Sequence, residues 1–381
     1  MHSTVHTIST MKILFLFGTR PEAIKMAPLV KAFSTDDRFL VKVGITAQHR
    51  EMLDQVLAFF DIEADFDLDV MVPNQTLHNL TATLIARITE EILLKEKFDL
   101  IFVQGDTTTV LAAALSAFYQ KIKVAHIEAG LRSHDMYSPF PEEMNRVLTS
   151  KIAALHFCPT ENSKANLYTE NITDNVFVVG NTVIDALFTG LEKIKQHEET
   201  IVSHFKNVDF TKKILLVTCH RRENFGKPFI EICDALLELA DTYNDTVQIV
   251  YPVHPNPNVK EIAYNKLKRA NIKLVHPLDY HELIWMMDKS TLILTDSGGI
   301  QEEAPSLSKP VLVMREVTER TEGVDAGTAI LVGSDRKKIV TEAKKLLNDP
   351  DYYSQIATAV NPYGDGTTSY KIKEIVAGIM L

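Results

Sequence analysis

The first β–α unit of the chain is encoded in Lys12-Ile13-Leu14-Phe15-Leu16-Phe17-Gly18-Thr19-Arg20-Pro21-Glu22-Ala23-Ile24-Lys25-Met26. The apolar run before Gly18 predicts a buried parallel strand, and Pro21 predicts the first turn of a helix. Backbone N–H groups at a helix start, with the cation Arg20 beside them, suit an anionic group such as a phosphate. The turn is no Walker loop, and it lacks the further glycines of a G-x-G-x-x-G motif. It therefore indicates an anionic substrate and argues against NAD.

Bulk composition limits the classes of protein to which the chain can belong. Its 381 residues are enough for two α/β domains, and no stretch approaches the roughly 20 apolar residues of a membrane span. The formal charge of -10 disfavours nucleic acid and anionic membranes as partners. The three cysteines show no C-x-x-C spacing and predict a reduced, cytoplasmic protein. Residues 1–10 lack the apolar region of a signal peptide, and we treat them as an extension or alternative start before Met11.

Apolar strand patterns alternate with helical patterns along the whole chain. A first series of strands is followed, after a polar segment at 192–212, by a second series. The predicted strands are 12–17, 40–46, 99–104, 122–127, 155–158, 176–179, 213–218, 247–252, 272–275, 291–295 and 310–313. The alternation predicts an α/β fold with two Rossmann-like, doubly wound domains. We expect these domains at 11–185 and 186–365, with a last helix at about 366–381 that packs back on the first domain.

Three carboxylates follow predicted strands in the first half, where ligands bind in such sheets. Asp106 comes directly after a strand, and a simple helix N-cap is its competing interpretation. Glu128 also follows a strand, and it could instead form a structural ion pair with Arg132. Glu142 opens a predicted helix, which is an ordinary position for an acid. Together the three carboxylates form a candidate set of general acids and bases.

Histidines and arginines follow strands in the second half. The run His220-Arg221-Arg222 ends a predicted strand, which favours an anion site over a solvated surface. His254 occupies a similar position with less support. No pair of histidines and carboxylates has the spacing of a zinc site, since His276 and His281 flank a Pro-Leu-Asp turn. We therefore predict no metal site.

The strongest signal in the second half is the turn Asp296-Ser297-Gly298-Gly299. It follows an apolar strand and opens a helix, and its glycines let a phosphate approach the backbone. An ordinary glycine-rich turn is the competing interpretation. Glu303, about one helical turn further on, is a candidate for hydrogen bonds from ribose hydroxyls. Arg320 is a candidate for the same phosphates, or else one more loop cation.

Taken in order, these motifs resemble the non-hydrolysing bacterial UDP-N-acetylglucosamine 2-epimerases. The resemblance runs from about Met11 to the C-terminus and rests on Phe17-Gly18-Thr19-Arg20-Pro21-Glu22, Thr46-Ala47-Gln48-His49-Arg50, Gly105-Asp106-Thr107-Thr108-Thr109, Glu128-Ala129-Gly130-Leu131-Arg132, His220-Arg221-Arg222-Glu223-Asn224, Asp296-Ser297-Gly298-Gly299-Ile300-Gln301-Glu302-Glu303 and Asn361-Pro362-Tyr363-Gly364-Asp365-Gly366. It implies a fold of the glycosyltransferase-B type with the active site in an interdomain cleft, and a homodimer. It also implies interconversion of UDP-GlcNAc and UDP-ManNAc without metal or nicotinamide, supplying ManNAc-derived sugars for surface polysaccharide.

The resemblance also implies roles for individual residues. It places the catalytic residues Asp106, Glu128 and Glu142 at the sugar and His220 near the diphosphate. It assigns substrate and UDP binding to Arg20, Lys25, Leu283, Ser297, Gly298, Gly299, Glu303 and Arg320, with Leu283 where relatives often carry an aromatic residue near the uracil. A second, allosteric UDP-GlcNAc would bind at Gln48, Gln75, Glu142, Arg221 and His254. Which carboxylate takes the C2 proton and which returns one stays open.

The chemistry of inversion at C2 agrees with the implied activity. The C2 proton has no neighbouring carbonyl, so inversion needs either transient oxidation or loss of the anomeric leaving group. The chain offers no convincing nicotinamide fingerprint. Elimination of UDP to a 2-acetamidoglucal, then re-addition with protonation on the other face, needs a phosphate grip and carboxylates. The alternatives are a hydrolysing epimerase that releases UDP and ManNAc, a glycosyltransferase on the same fold, and a nucleotide-sugar sensor without turnover.

Overall fold

The structure is a computed structural model that describes residues 10–47, 50–72, 75–196 and 198–380. The chain forms two units: the first extends to Ala186 and resumes at Tyr363, and the second is Leu187–Pro362. Each unit is built on one parallel sheet with helices between consecutive strands. The predicted fold class, α/β with two Rossmann-like domains, is therefore confirmed. Within the described ranges, every helix is too short or too polar to span a lipid bilayer.

The first unit begins with seven strands and the helices between them. Its strands are β1 (Met11–Phe17), β2 (Phe39–Ile45), β3 (Phe66–Asp67), β4 (Leu100–Gln104), β5 (Lys123–Ile127), β6 (Leu155–Cys158) and β7 (Val176–Val178). Its helices are α1 (Arg20–Ser34), α2 (Arg50–Phe59), α3 (Leu77–Ile88), α4 (Thr108–Tyr119), α5 (Glu142–Ile152), α6 (Glu161–Thr169) and α7 (Thr182–Ile194), the last of which leads into the second unit. The strands lie in the order β3-β2-β1-β4-β5-β6-β7.

The second unit repeats this architecture with six strands. Its strands are β8 (Lys213–Thr218), β9 (Val247–Pro252), β10 (Ile272–Val275), β11 (Leu292–Thr295), β12 (Val311–Val313) and β13 (Ala329–Leu331), in the order β10-β9-β8-β11-β12-β13. Its helices are α8 (Glu198–His204), α9 (Lys227–Thr242), α10 (Pro257–Lys266), α11 (Tyr280–Lys289), α12 (Gly298–Glu303), α13 (Thr321–Asp325), α14 (Arg336–Asn348) and α15 (Pro350–Ala357). Short 3-10 turns lie at Arg222–Asn224 and Ala304–Leu307.

Strand β1 lies in the middle of its sheet because it is apolar on both faces. It pairs with β2 on one side and with β4 on the other, and both pairings are parallel. Phe15 is fully buried, and its ring stacks on that of Phe102 with the centroids 4.7 Å apart. Strand β8 has the same place in the second sheet, between β9 and β11. In sheets of this kind ligands bind beyond the carboxyl ends of the strands, where the strand order reverses.

The last helix, α16 (Thr368–Met380), returns the chain to the first unit. The amide N–H of Asn181 donates to the Tyr363 carbonyl at 2.6 Å. The Asp185 carboxylate accepts the backbone N–H groups of Thr368 and Ser369 at 3.3 and 2.7 Å, and so caps the start of the helix. Helix α16 then packs against α1. The first unit is thus assembled from both ends of the described chain.

Candidate active site

The turn between β1 and α1 is closed by its own carboxylate. Thr19 caps α1, and the buried Glu22 carboxylate accepts the N–H groups of Gly18 and Thr19 at 2.8 and 2.6 Å. The Thr107 hydroxyl donates to the same carboxylate at 2.6 Å. Glu22 therefore occupies the amides of Gly18 and Thr19, two of those that the sequence offered to a substrate anion. The cation remains, since the half-buried Arg20 guanidinium has no hydrogen-bond or ion-pair partner in the part of the chain described.

Glu128 follows β5 and is surrounded by donors from three other elements. Its backbone takes a φ of 65°, in the left-handed region, which turns the side chain out of the strand's regular alternation. The carboxylate forms an ion pair with Lys25 of α1, and it accepts the side-chain amides of Gln104 at 2.6 Å and Asn181 at 3.1 Å. The alternative pairing with Arg132 is wrong, because that guanidinium binds Glu170. Glu128 is thus held in one orientation at the strand end.

Asp106 follows β4, and its carboxylate is not used as a helix cap. Thr107 caps α4 instead, with its hydroxyl accepting the N–H of Val110 at 3.4 Å. The Asp106 carboxylate binds the Arg146 guanidinium, which also donates to it through Nε at 3.1 Å. The Asn145 amide donates to the Asp106 carbonyl at 2.9 Å. Two consecutive residues of α5 therefore hold Asp106 at the same sheet edge as Glu128.

Helix α5 begins with two acids that have different surroundings. Glu143 is buried and accepts the N–H groups of Ser133 and His134 at 3.0 and 3.1 Å, so it shapes the preceding loop. Glu142 is half-buried, and its carboxylate has no partner among the residues that the structure covers. The supporting contacts from Arg146 and Glu143 were not predicted, because nothing in their local sequence separates them from ordinary helix residues.

His126 supports the turn that carries Asp106. It is fully buried in β5, and its Nε2 lies 2.7 Å from the carbonyl oxygen of Gly105. Gly105 has a φ of 78°, a conformation that glycine adopts without strain. Burial lowers the pKa of His126 to about 3, so the ring is neutral and Nε2–H can donate to the carbonyl.

Acid is expected to destabilise the protein through His126. Because the folded pKa of about 3 lies below the ordinary value of 6.5, the unfolded chain takes up the proton at higher pH. The stability from the neutral ring is therefore complete above pH 6.5 and is lost as the pH falls toward 3, with a loss of about 2 kcal/mol by pH 5. Urea unfolding at pH 6.5 and pH 5 measures the effect.

The matched variant is His126→Gln, whose side chain can donate to the same carbonyl but does not titrate. We expect its free energy of unfolding to fall by about 2 kcal/mol less over this pH range than that of the parent. His156 lies beside His126 in the sheet, and its pKa is also lowered by burial, to about 4, but it contributes equally to both proteins. An identical pH dependence in parent and variant would contradict the assignment.

In the second unit, one buried carboxylate organises the turn after β8. Asp296 is fully buried, and its Oδ2 accepts the backbone N–H groups of His220 and Arg221, both at 2.9 Å, and the Asn224 amide at 3.0 Å. Its Oδ1 lies 3.6 Å from Nδ1 of His220. At that distance Oδ1 faces the imidazole without a hydrogen bond to it, and Oδ1 has no other hydrogen-bond partner among the described residues. The sequence marks Asp296 only as a strand-end acid, and its partners lie far away in the chain.

Arg221 and His254 lie beside His220. The Arg221 guanidinium donates through Nε to the Asp296 carbonyl at 2.9 Å. The His254 ring stacks on the His220 ring, with the centroids 5.4 Å apart and an interplanar angle of 13°. Burial, and then the neighbouring His220, lower the pKa of His254 below its ordinary value. The structure therefore brings these three predicted residues together.

The Ser297-Gly298-Gly299 turn opens α12, directly after Asp296. Gly298 lies under Arg320, since a Cβ built there would be 3.5 Å from the guanidinium carbon. The Arg320 side chain is held by Glu302, whose carboxylate accepts its Nε–H at 2.7 Å. A Cβ at position 298 would thus make an ordinary van der Waals contact with the guanidinium. The turn and Arg320 form one surface suited to an anion.

Glu303 and Leu283 lie near a shared neighbour in α11. Glu303 is buried, and the Tyr280 hydroxyl donates to its Oε1 at 3.3 Å. Leu283 is half-buried in the same helix, about one turn after Tyr280. Tyr280 was not predicted; it is a buried aromatic in a helical pattern and gives no signal of its own.

Two more residues are predicted to bind a second nucleotide sugar. Gln48 lies outside the described residues. Gln75 precedes α3, and its side-chain oxygen is buried without a hydrogen-bond partner in the described ranges. An unpaired buried acceptor of this kind can receive a donor from a ligand.

The two units offer different chemistry. The first presents three carboxylates, Asp106, Glu128 and Glu142, with Arg20 and Lys25 nearby along α1. That set can transfer protons. The second presents the His220 imidazole, a glycine-rich turn and Arg320, which suit a diphosphate.

Comparison with known proteins gives consistent results. A family described as UDP-N-acetylglucosamine 2-epimerase matches residues 31–377. The UDP-N-acetylglucosamine 2-epimerase of Escherichia coli K12 is 52% identical over 369 residues, which cover 96% of this chain and 98% of the relative. The crystal structure of UDP-GlcNAc 2-epimerase from Neisseria meningitidis bound to UDP-GlcNAc is 50% identical with a TM-score of 0.88, covering 97% of this chain and 100% of that one. The Methanocaldococcus jannaschii UDP-GlcNAc 2-epimerase in complex with UDP-GlcNAc and UDP is 36% identical with a TM-score of 0.80, at coverages of 97% and 100%.

Proposed function

The chain belongs to the UDP-N-acetylglucosamine 2-epimerase family, and on that premise we propose that it interconverts UDP-GlcNAc and UDP-ManNAc without hydrolysis. The Neisseria relative binds UDP-GlcNAc and shares half of its residues with this chain over nearly the full length. The observation that carries the proposal is the placement of Asp106 and Glu128 at neighbouring strand ends, each held by donors from other elements. Such fixed carboxylates suit proton transfer at a carbon that is inverted.

The reaction we propose is elimination followed by re-addition. A carboxylate of the first unit takes the C2 proton, the C1–O bond breaks with its electron pair leaving on UDP, and a C1=C2 double bond forms. The intermediate is a 2-acetamidoglucal. A proton then returns to C2 on the opposite face while UDP re-forms the bond to C1. No net oxidation, reduction or uptake of water occurs, so the same groups can serve both directions.

The leaving diphosphate develops negative charge during elimination. We assign its stabilisation to Arg20, His220, Arg320 and the Ser297-Gly298-Gly299 turn, with Lys25 next to Glu128. Preorganised donors of this kind act most strongly where charge appears in the transition state. Asp296 supports this role by holding the His220 backbone and facing its ring. Glu303 and Leu283 are proposed to contact the ribose and the uracil.

Incubation with UDP-GlcNAc in D₂O tests the proposed function. We expect deuterium at C2 of UDP-ManNAc and a reaction that comes to equilibrium between the two nucleotide sugars, because each turnover breaks and re-forms the C2–H bond. Proton NMR follows both. Free ManNAc accumulating with stoichiometric UDP would establish the hydrolysing alternative. UDP-ManNAc formed without deuterium at C2 would contradict proton exchange with solvent.

A second UDP-GlcNAc is proposed as an activator, at Gln48, Gln75, Glu142, Arg221 and His254. The proposal is supported by the buried, unpaired Gln75 oxygen and by the stacking of His254 on His220. We also propose a homodimer and a reducing, cytoplasmic location, in keeping with the free, buried thiols of Cys158, Cys219 and Cys233.

A further inference from the structure

Two histidines and one glutamate meet in the second unit, next to Leu283 in the chain but separate from the residues assigned to proton transfer and to the diphosphate. His204 ends α8, His276 follows β10, and Glu282 lies in the first turn of α11. The His204 Nδ1 atom lies 2.5 Å from Glu282 Oε1, and the His276 Nε2 atom lies 3.5 Å from Glu282 Oε2. One donor atom from each side chain falls within 4.8 Å of the others. The described ranges hold no second group of three such side chains.

The types of donor atom and their spacing suit a borderline transition metal. Two imidazoles and one carboxylate are a common ligand set for Zn²⁺, whereas Mg²⁺ and Ca²⁺ prefer oxygen alone. Zinc–nitrogen and zinc–oxygen bonds of about 2.1 Å in a tetrahedron place neighbouring ligand atoms about 3.4 Å apart. The two distances given above lie on either side of that value. Small rotations of the two exposed imidazoles can therefore bring all three donors onto one ion.

The Glu282 carboxylate is already held in one orientation without a metal. Glu282 is only 4% exposed, while His204 and His276 are 46% and 56% exposed. The backbone N–H of Asp279 donates to Glu282 Oε2 at 3.0 Å, as part of the capping box of α11. A hydrogen bond of this kind to a ligating carboxylate fixes its orientation toward the metal. The exposed imidazoles leave the solvent side open for water as a fourth ligand.

We propose that His204, His276 and Glu282 form a binding site for Zn²⁺ or a similar divalent transition metal. The ion adds a link between α8 and α11, which are already held together because Glu198 accepts the Trp285 indole N–H at 2.8 Å and pairs with Lys289 at 2.9 Å. Spacing along the sequence does not reveal the site, because each ligand comes from a different element. The site is independent of the proposed reaction, in which no metal takes part.

The chain carries a reporter for this site. Trp285 is its single tryptophan and lies one helical turn after Glu282. Its ring stacks on Phe205, the neighbour of His204, with the centroids 5.4 Å apart. A paramagnetic ion bound at the cluster is therefore close enough to quench the indole fluorescence. Ions bound elsewhere on the surface quench it far less.

The test is a titration of the metal-free, full-length protein with Co²⁺, followed through Trp285 fluorescence and Co²⁺ absorption. We expect saturable quenching with one ion per chain, the intense visible bands of four-coordinate Co²⁺, and reversal by Zn²⁺. His276→Ala and His204→Ala should each lower the affinity for Co²⁺ by at least roughly 10- to 100-fold, which is the usual cost of removing a residue that only supports a metal ligand. Absence of saturable quenching in the parent would overturn the proposal.

Two further variants make the result specific. Glu282→Gln keeps an oxygen that can accept the Asp279 N–H but removes the charge, and it should also bind Co²⁺ more weakly. His78→Ala removes an exposed histidine of α3 in the first unit and should titrate like the parent. Unchanged quenching in both single-histidine variants of the cluster would place the ion elsewhere and refute the site. Circular dichroism of each variant identifies any loss that comes from unfolding.

Discussion

Replacement of Glu128 by glutamine is expected to lower the turnover of UDP-GlcNAc by roughly 10²- to 10⁴-fold while UDP still binds. Glutamine keeps the size of the side chain, but its single oxygen replaces only one of the two carboxylate oxygens that accept from Gln104 and Asn181. It cannot take up or give back a proton, so the C2–H step loses its catalyst. Turnover is measured by NMR, and UDP binding by calorimetry.

The direction of the reaction separates the roles of the two carboxylates. Deuterium exchange is followed from UDP-GlcNAc and, separately, from UDP-ManNAc, in Glu128→Gln and in Asp106→Asn. If each carboxylate serves one face of the sugar, one variant should lose elimination from one epimer and the other variant from the other. Glu91→Gln, in the π-helical turn Thr89–Leu93 that follows α3, is the control and should behave like the parent. Near-normal turnover in Glu128→Gln would remove Glu128 from the catalytic set.

Replacement of Arg20 by alanine is expected to lower kcat by roughly 10²- to 10³-fold, the usual cost of removing one preorganised donor from developing charge. The guanidinium has no partner in the covered part of the chain, so its loss leaves no other charged group unpaired. We therefore expect the urea midpoint to stay within experimental error of the parent. Steady-state kinetics in both directions, with unfolding as the companion measurement, check the prediction.

The separate changes in kcat and KM caused by Arg20→Ala distinguish two possible roles of Arg20. A fall in kcat with little change in KM indicates a contact that forms as UDP leaves. A rise in KM with unchanged kcat would mean that Arg20 only anchors the ground state, and would contradict the proposed role. Arg87→Ala is the matched control, because Arg87 is a half-buried arginine of the same unit whose partner is Glu91 on the next helical turn. It should leave both constants unchanged.

The regular elements of this fold could be predicted because they are apolar on both faces. Each predicted strand corresponds to an observed one with its ends displaced by at most one residue. Two strands were missed, β3 and β13, which have two and three residues at sheet edges. The two residues of β3 carry no periodicity from which a strand can be recognised, whereas β13 is no shorter than β7 and β12, which were predicted.

The strand-end residues could be predicted, but their partners could not. Asp106, Glu128 and His220 could be predicted as site residues because each follows a strand, and the carboxyl ends of parallel strands meet at one edge of a sheet. The partners Arg146 and Asp296 lie 40 and 76 residues away from them in the chain. The local sequence does not show which distant residues will contact each other. For the same reason the local alternatives failed: a nearby threonine, not Asp106, caps α4, and Glu128 pairs with a lysine rather than with the arginine four residues on.

The return of α16 to the first unit has a consequence for the order of biosynthesis. A ribosome makes β1 to β7 first, yet the segment from Tyr363 onward that completes their unit emerges only after the whole second unit. The second unit is a continuous segment, so all of its residues have been synthesised before the first unit has received α16. Until then, the Asp185 carboxylate and the α1 surface that receive α16 remain without it. Assembly of the first unit is therefore coupled to the synthesis of α16 after the second unit.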